Sequence, residues 1–176
     1  MSELRKANVP QSTYFITLTV VGWIDIFTRK VYVDDLIKNL KFCQENKGLE
    51  IFEYVVMPSH IHIICRRKEG LLSDLLKEFK SFTAKEILKL IQENPQESRQ
   101  EWLMYMFQFF SKRFAQNAQF MFWQKTSYPI EIYNPEIMKQ KSRYIRMNPE
   151  VAGIVTDSTY YIYCSACPNS PLAMDI

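Results

Sequence analysis

The stretch LEIFEYVVMPSHIHIICR, residues 49–66, decides how this chain is read. Leu49 to Met57 and His60 to Arg66 are rich in β-branched and aromatic residues, which suit a pleated, half-buried surface. Only Pro58 and Ser59 separate them. So short a link joins antiparallel strands, because a parallel pair needs a crossover of about a dozen residues or more. The spacing predicts a hairpin. On its second strand His60 and His62 stand two residues apart, so both imidazoles share one face and Ile61 and Ile63 take the other. That split leaves one face apolar and one polar. These are the only two histidines in the chain. Two imidazoles on one face are a ready pair of metal ligands, and a half-buried pair satisfied by hydrogen bonds is the plainer alternative.

Working outward, Tyr14 to Val21 (YFITLTVV) reads as another strand. Asp34 or Asp35 can cap a helix through Cys43, with Leu36, Ile37, Leu40 and Cys43 at helical spacing and Gly48 as its stop. After the hairpin, Leu72, Leu75, Leu76, Phe79, Phe82, Ile87, Leu90 and Ile91 define a long amphipathic helix that ends before Pro95. Trp102 to Phe114 is expected to be a second, aromatic helix, and Phe120 to Gln124 (FMFWQ) a strand. Asn134-Pro135 joins an N-cap to a proline at the first helical position. That helix is expected to run to Asn148, where Pro149 blocks it.

The elements order as β-α-β-β-α-(α)-β-α, which contains the β-α-β-β-α-β order of ferredoxin-like folds. The expected class is α+β: an antiparallel sheet with helices on one face, an extra aromatic helix and a C-terminal helix carrying Tyr144. No repeats, low-complexity tracts or Pro/Gly/Ser linkers break the chain. One domain over residues 1–176 is expected, its core spanning about 14–165.

Composition sets outer limits. The 176 residues are 47% hydrophobic and 23% charged, and 14% are aromatic with only four glycines, which excludes a disordered chain. No apolar run reaches the roughly 18 residues a membrane span needs. The start, MSELRKANVPQS, has no apolar stretch behind its charges, so neither a membrane nor a secretory destination is expected. Cys43, Cys65, Cys164 and Cys167 are then expected to be reduced thiols of a cytoplasmic protein. Cys164-x-x-Cys167 has half of a zinc spacing, but no second pair accompanies it. The net charge of +3 is modest. Seven Lys/Arg between Lys112 and Arg146 face only Glu131 and Glu136, which points to a polyanion or to a solvated helix face.

Two histidines seldom complete a site. On the last helix Tyr144 and Asn148 are four residues apart on one face, with Lys141 and Ile137 continuing the stripe. An amide oxygen is a hard donor suited to Mg²⁺ or Mn²⁺, and a tyrosine hydroxyl is a possible nucleophile. With ten tyrosines in the chain, a ring packed in the core is the competing reading of Tyr144.

The segment Val55 to Ile64 (VVMPSHIHII) resembles the His-hydrophobic-His signature of the single-tyrosine HUH transposases, and within them the bacterial REP-associated branch. Tyr144-Ile145-Arg146-Met147-Asn148-Pro149, followed by Val151 to Val155, resembles that branch's tyrosine helix and its Asn-Pro stop. Phe122-Trp123-Gln124-Lys125 and Phe79-Lys80-Ser81-Phe82-Thr83 also fit, and the likeness runs from about Tyr14 to Ser165.

The resemblance implies that His60 and His62 bind a divalent ion, Mg²⁺ or Mn²⁺, with Asn148 as a third ligand. It makes Tyr144 the nucleophile in cutting and rejoining single-stranded DNA near hairpins through a 5′-phosphotyrosine. Arg66, Arg67 and Lys68 after the histidine strand, and Lys139, Lys141, Arg143 and Arg146 on the tyrosine helix, would then neutralise phosphates. A homodimer is compatible with the family. Two alternatives stay open: a domesticated hairpin-binding protein without catalysis, and a metal phosphodiesterase that uses water. The C-terminal PNSPLAMDI carries no motif and could pack over the site.

Overall fold

In the computed structural model, which describes residues 7–115 and 118–175, the hairpin is formed by β2 (Leu49–Met57) and β3 (His60–Arg67). Met57 stands opposite His60 and the strands run antiparallel. The first residues of the chain, where no secretory signal is expected, lie partly outside that range. β1 (Tyr14–Thr19) pairs antiparallel with the other side of β3, and β4 (Ile130–Glu131) pairs with β1. The sheet order is β2-β3-β1-β4. Ferredoxin-like connectivity demands this arrangement, with the first strand and the second hairpin strand in the middle.

α1 (Lys30–Asn46) and α2 (Leu72–Glu93) cover one face. Tyr14, Ile16 and Leu18 of β1 and Ile61, Ile63 and Cys65 of β3 meet Leu36, Leu40, Leu75, Phe79 and Ile87 there. On β2 the inward residues change from Leu49 and Ile51 to Tyr54 and Val56, because a bulge between Ile51 and Glu53 resets the alternation. The same bulge turns Glu53, Val55 and Met57 toward the histidine face. α3 (Gln100–Arg113) packs on α2 through Leu103, Phe107 and Ser111, leaving Trp102, Tyr105 and Phe109 exposed.

Several expectations are corrected. The helices do not all lie on one face: α4 (Pro135–Val151) crosses the face that carries the histidines. Nor is that face simply polar. Phe15, Val55, Met57, Ile64, Ile145 and Cys164 form a second, smaller core beneath α4. α1 begins at Lys30, a turn before Asp34, because Tyr32 and Val33 are drawn into the main core. Asp34 and Asp35 sit inside the helix, bound to Lys30 and Asn39. Phe82, counted in the apolar stripe of α2, is exposed.

Phe120 to Gln124 is not a strand. It makes one bridge, Trp123 to Val20, and its apolar run reflects consecutive burial of Met121, Phe122 and Trp123. The chain then follows the edge of β1, with Thr17 N–H donating to the Ser127 carbonyl, until β4 opposite Tyr14 and Phe15. From Trp123 to Ile130 it is two residues longer than the segment it flanks, Phe15 to Val20. Tyr128, at φ 45°, lies within this excess.

Pro149 does not stop α4, which continues to Val151. A proline here removes the N–H that would serve the Ile145 carbonyl. The Cys164 thiol, 4.0 Å from that carbonyl, takes up part of the vacancy. The C-terminal segment lies away from the histidines, along the free edge of β2. Val56 N–H donates to Tyr163, Ser165 N–H to Tyr54, and Asp175 N–H to Ile51. These bonds close an edge strand that would otherwise be open to other chains.

Candidate active site

Cross-strand register assembles the site. His60 lies opposite Thr19 and Met57, and His62 opposite Thr17 and Val55. The two imidazole centroids are 4.7 Å apart, so the rings share a face as the spacing requires. Each ring is oriented by a hydroxyl on Nδ1: Thr17 Oγ1 lies 2.8 Å from that of His62, and Ser59 Oγ 3.1 Å from that of His60. If Nδ1–H donates to the hydroxyl, Nε2 keeps a lone pair free to bind a ligand. Phe15 stacks on His62 at 5.4 Å, holding its ring plane.

α4 brings the other chemistry. Asn134 caps it by accepting from the Ile137 amide at 2.8 Å, with Pro135 in the first turn. One helix face then carries Lys141, Tyr144 and Asn148. The Tyr144 hydroxyl is 3.5 Å from His62 Nε2, and its ring meets His62 and Phe15 edge to face. Tyr144 is nonetheless half-exposed, so it is not a core tyrosine. Lys141 Nζ lies 4.8 Å above the Phe15 ring and 5.9 Å from that of Tyr144. Asn148 is partly buried one turn beyond Tyr144. Arg146 anchors the helix, its Nε 2.8 Å and its Nη2 2.6 Å from buried Glu53, which also accepts from Ser165.

The electrostatics suit a metal ligand. Burial lowers the pKa of His60. His62 is pushed down to about 3 by burial first, then by His60 and Lys141. Both rings are therefore neutral near pH 7, the form that coordinates a cation. Among the described residues no three His, Cys, Asp or Glu gather to hold an ion. The histidine pair fits a divalent ion as half of a donor set that an amide oxygen and substrate oxygens could complete.

Of the seven basic residues expected to neutralise phosphates, only Lys141 stands beside the histidine pair. Lys139 and Arg143 are exposed elsewhere on α4. Arg66 is six residues along β3 from His60, roughly 20 Å at about 3.3 Å per residue, and pairs with its cross-strand neighbour Glu50. Lys68 reaches the same carboxylate at 4.0 Å, and Arg67 donates to the Leu71 carbonyl at 3.2 Å. Cys164 and Cys167 are buried thiols beside β2. The site also contains residues that were not expected there: Thr17, Ser59, Phe15, and Trp23, whose ring centroid is 5.3 Å from that of His60. Ser59 was signalled by its place next to His60, whereas Thr17 and Phe15 depend on a register no local pattern discloses.

No curated protein sequence matches the chain. Among solved structures, a REP-associated tyrosine transposase bound to a REP hairpin superposes with a TM-score of 0.63 and 18% identity, over 94% of this chain and 82% of that one. A second, described as a transposase candidate from Deinococcus radiodurans R1, gives a TM-score of 0.48 and 17% identity, over 82% of this chain and 95% of that one. At 18% identity the first of these likenesses shows the fold alone. The model of the IS200-like transposases matches residues 8–121, more than half of the chain and the part that carries both histidines, and the chain belongs to that family.

Proposed function

We propose that the protein cuts and rejoins single-stranded DNA beside hairpins, with Tyr144 as nucleophile and a divalent ion, Mg²⁺ or Mn²⁺, held by His60, His62 and Asn148. One observation carries the reading: the Tyr144 hydroxyl stands 3.5 Å from His62 Nε2, although 82 residues separate them. A tyrosine with only a packing role would not bring its hydroxyl, half-exposed, to the free nitrogen of an oriented imidazole. Membership of a transposase family and the fold of a hairpin-bound relative support DNA as the substrate.

The chemistry is a transesterification. The Tyr144 oxygen forms a bond to the scissile phosphorus, the bond to the 3′ oxygen breaks, and that oxygen leaves as a hydroxyl carrying a proton. One phosphodiester is exchanged for another, so rejoining needs no external energy. A bound divalent ion would supply positive charge against the phosphate oxygens. Lys141, beside the Tyr144 ring, is placed to balance phosphate charge, and Phe15 and Thr17 keep the His62 ring in its plane. Arg146 and Glu53 tie α4 to β2 and so keep Tyr144 over the histidine face. Lys139 and Arg143 extend a positive surface along α4. Arg66, Arg67 and Lys68 lie at the far end of β3, where they could meet only a distant part of a DNA backbone.

The test is a covalent-adduct gel with labelled hairpin oligonucleotides from repeats flanking the gene, with Mn²⁺ or Mg²⁺. A metal-dependent shifted band that is absent in Tyr144→Phe is expected, and His62→Ala should lose cleavage while keeping binding. Cut strand that persists in Tyr144→Phe would mean hydrolysis by water. Binding without cutting under either metal would mean a hairpin-binding protein.

A further inference from the structure

We propose that Trp23 is the platform on which an unpaired base stacks beside the scissile phosphate. Trp23 ends a short 3₁₀ turn, Val21–Trp23, directly after β1. Its ring centroid is 5.3 Å from that of His60, at 74° between planes, and 61% of the residue is exposed. A large apolar side chain thus stands in solvent against one of the two imidazoles.

Its backbone is unusual too. Trp23 has φ 55°, the left-handed region that glycine or asparagine occupies at little cost and a bulky residue does not. The conformation is imposed from several sides. Val20 N–H donates to the Ser59 carbonyl at 2.9 Å and Val21 N–H to Phe122 at 2.8 Å. Phe27 N–H donates to Pro58 at 2.9 Å, so the loop after β1 is tied to the hairpin turn that carries His60. Gly22 lies so close to the Phe110 ring of α3 that a Cβ there would come within 2.4 Å. The backbone is clamped between hairpin turn and helix, and the indole projects from the clamp. Packing gains little from a side chain this exposed, and glycine would relax the backbone, so folding stability does not explain a tryptophan here.

The surroundings describe the ligand. A planar apolar surface adjoins His60, whose ring is 4.7 Å from that of His62, and Lys112 and Arg113 are exposed in the last turn of α3, the helix against which the Trp23 turn packs. The acid nearest in sequence, Asp25, is paired with Arg99 at 2.7 Å. Planar rings joined by negative charges, which is to say unpaired nucleotides, match this combination. Stacking tolerates any base, so Trp23 would position the strand at the histidine pair without reading its sequence. This inference rests on the reading of the protein as an enzyme of single-stranded DNA.

Binding of a labelled hairpin with unpaired flanks, taken from the repeats beside the gene, is measured by fluorescence anisotropy in EDTA. A set of strands with single abasic positions is compared with the intact one. Trp23→Ala is expected to weaken binding of the intact strand roughly 5- to 150-fold, the range for loss of one stacked base. Trp23→Phe should recover most of it. One abasic position should weaken the wild type alike, and at that position Trp23→Ala should cost nothing more. Equal binding of wild type and Trp23→Ala overturns the proposal, as does a loss of the same size at every abasic position. If the wild type still forms its Tyr144 adduct in those cases, only the stacking role fails. A wild type that binds no single strand and forms no adduct overturns both.

Discussion

Thr17 Oγ1 on β1 lies 2.8 Å from His62 Nδ1 on β3, and the two residues are direct cross-strand partners. In the proposed site this hydroxyl orients the imidazole and, by accepting from Nδ1–H, would leave Nε2 for the metal. Thr17→Val removes the hydroxyl at nearly constant shape. Mn²⁺ affinity is expected to fall about 10- to 100-fold, the usual effect of losing a hydrogen bond that orients a ligating histidine. Calorimetric titration with Mn²⁺ checks this, and circular dichroism should show an unchanged fold.

Tyr144 reaches the histidines of its own sheet because α4 is anchored there by Arg146 on Glu53. A mixture of His62→Ala and Tyr144→Phe proteins should therefore form no covalent adduct. Recovery of adduct in the mixture would show that α4 is exchanged between two copies.

The anchor itself is open to test. Glu53 is buried and accepts from both Arg146 and Ser165. Glu53→Ala leaves the guanidinium without its partner and should cost about 1–3 kcal/mol of stability. Adduct formation should slow by at least about tenfold, given that misplacement by about 1 Å can cost roughly a hundredfold. Mn²⁺ binding at the histidine pair should hardly change. Denaturant unfolding, single-turnover gels and titration separate the three effects.

A second buried carboxylate gives a pH dependence. Burial works against the charge of Glu97, but the Arg99 amide, the Tyr32 hydroxyl and the Arg99 guanidinium outweigh it and hold its pKa below the ordinary 4.5. A folded-state value below the unfolded one contributes stability that is complete above about pH 4.5 and is lost as the pH falls through the lowered value. Glu97→Gln should cost about 2 kcal/mol at pH 7. The gap from the wild type should close on acidification below pH 4.5, as thermal melts across that range would show.

At Trp23 the backbone conformation has its own signature. With φ at 55°, alanine pays the left-handed penalty and glycine does not. Trp23→Gly is expected to be more stable than Trp23→Ala by about 1 kcal/mol, or about 2–4 °C in Tm for a domain of this size. Both should lose the same DNA affinity, since neither offers a ring.

Residues 49–66 by themselves determined the hairpin and put His60 and His62 on one face, because short links and two-residue alternation are local properties of a strand. The capped start of α4 at Asn134-Pro135 and the shared stripe of Lys141, Tyr144 and Asn148 were equally legible, since caps and helical periodicity involve neighbours in sequence. The fourth strand was misplaced to Phe120–Gln124 because burial on all sides produces the same apolar run as a strand. The stop at Pro149 was misjudged because the Ile145 carbonyl finds another partner, the Cys164 thiol, from across the fold. Only the tertiary structure decided that α4 lies over the histidines rather than with α1 and α2. Only it set Thr17 and Phe15 against His62 and Trp23 against His60. Those contacts follow from strand register and from which face a helix is drawn to cover, and both are fixed by burial summed over distant segments rather than by any one of them.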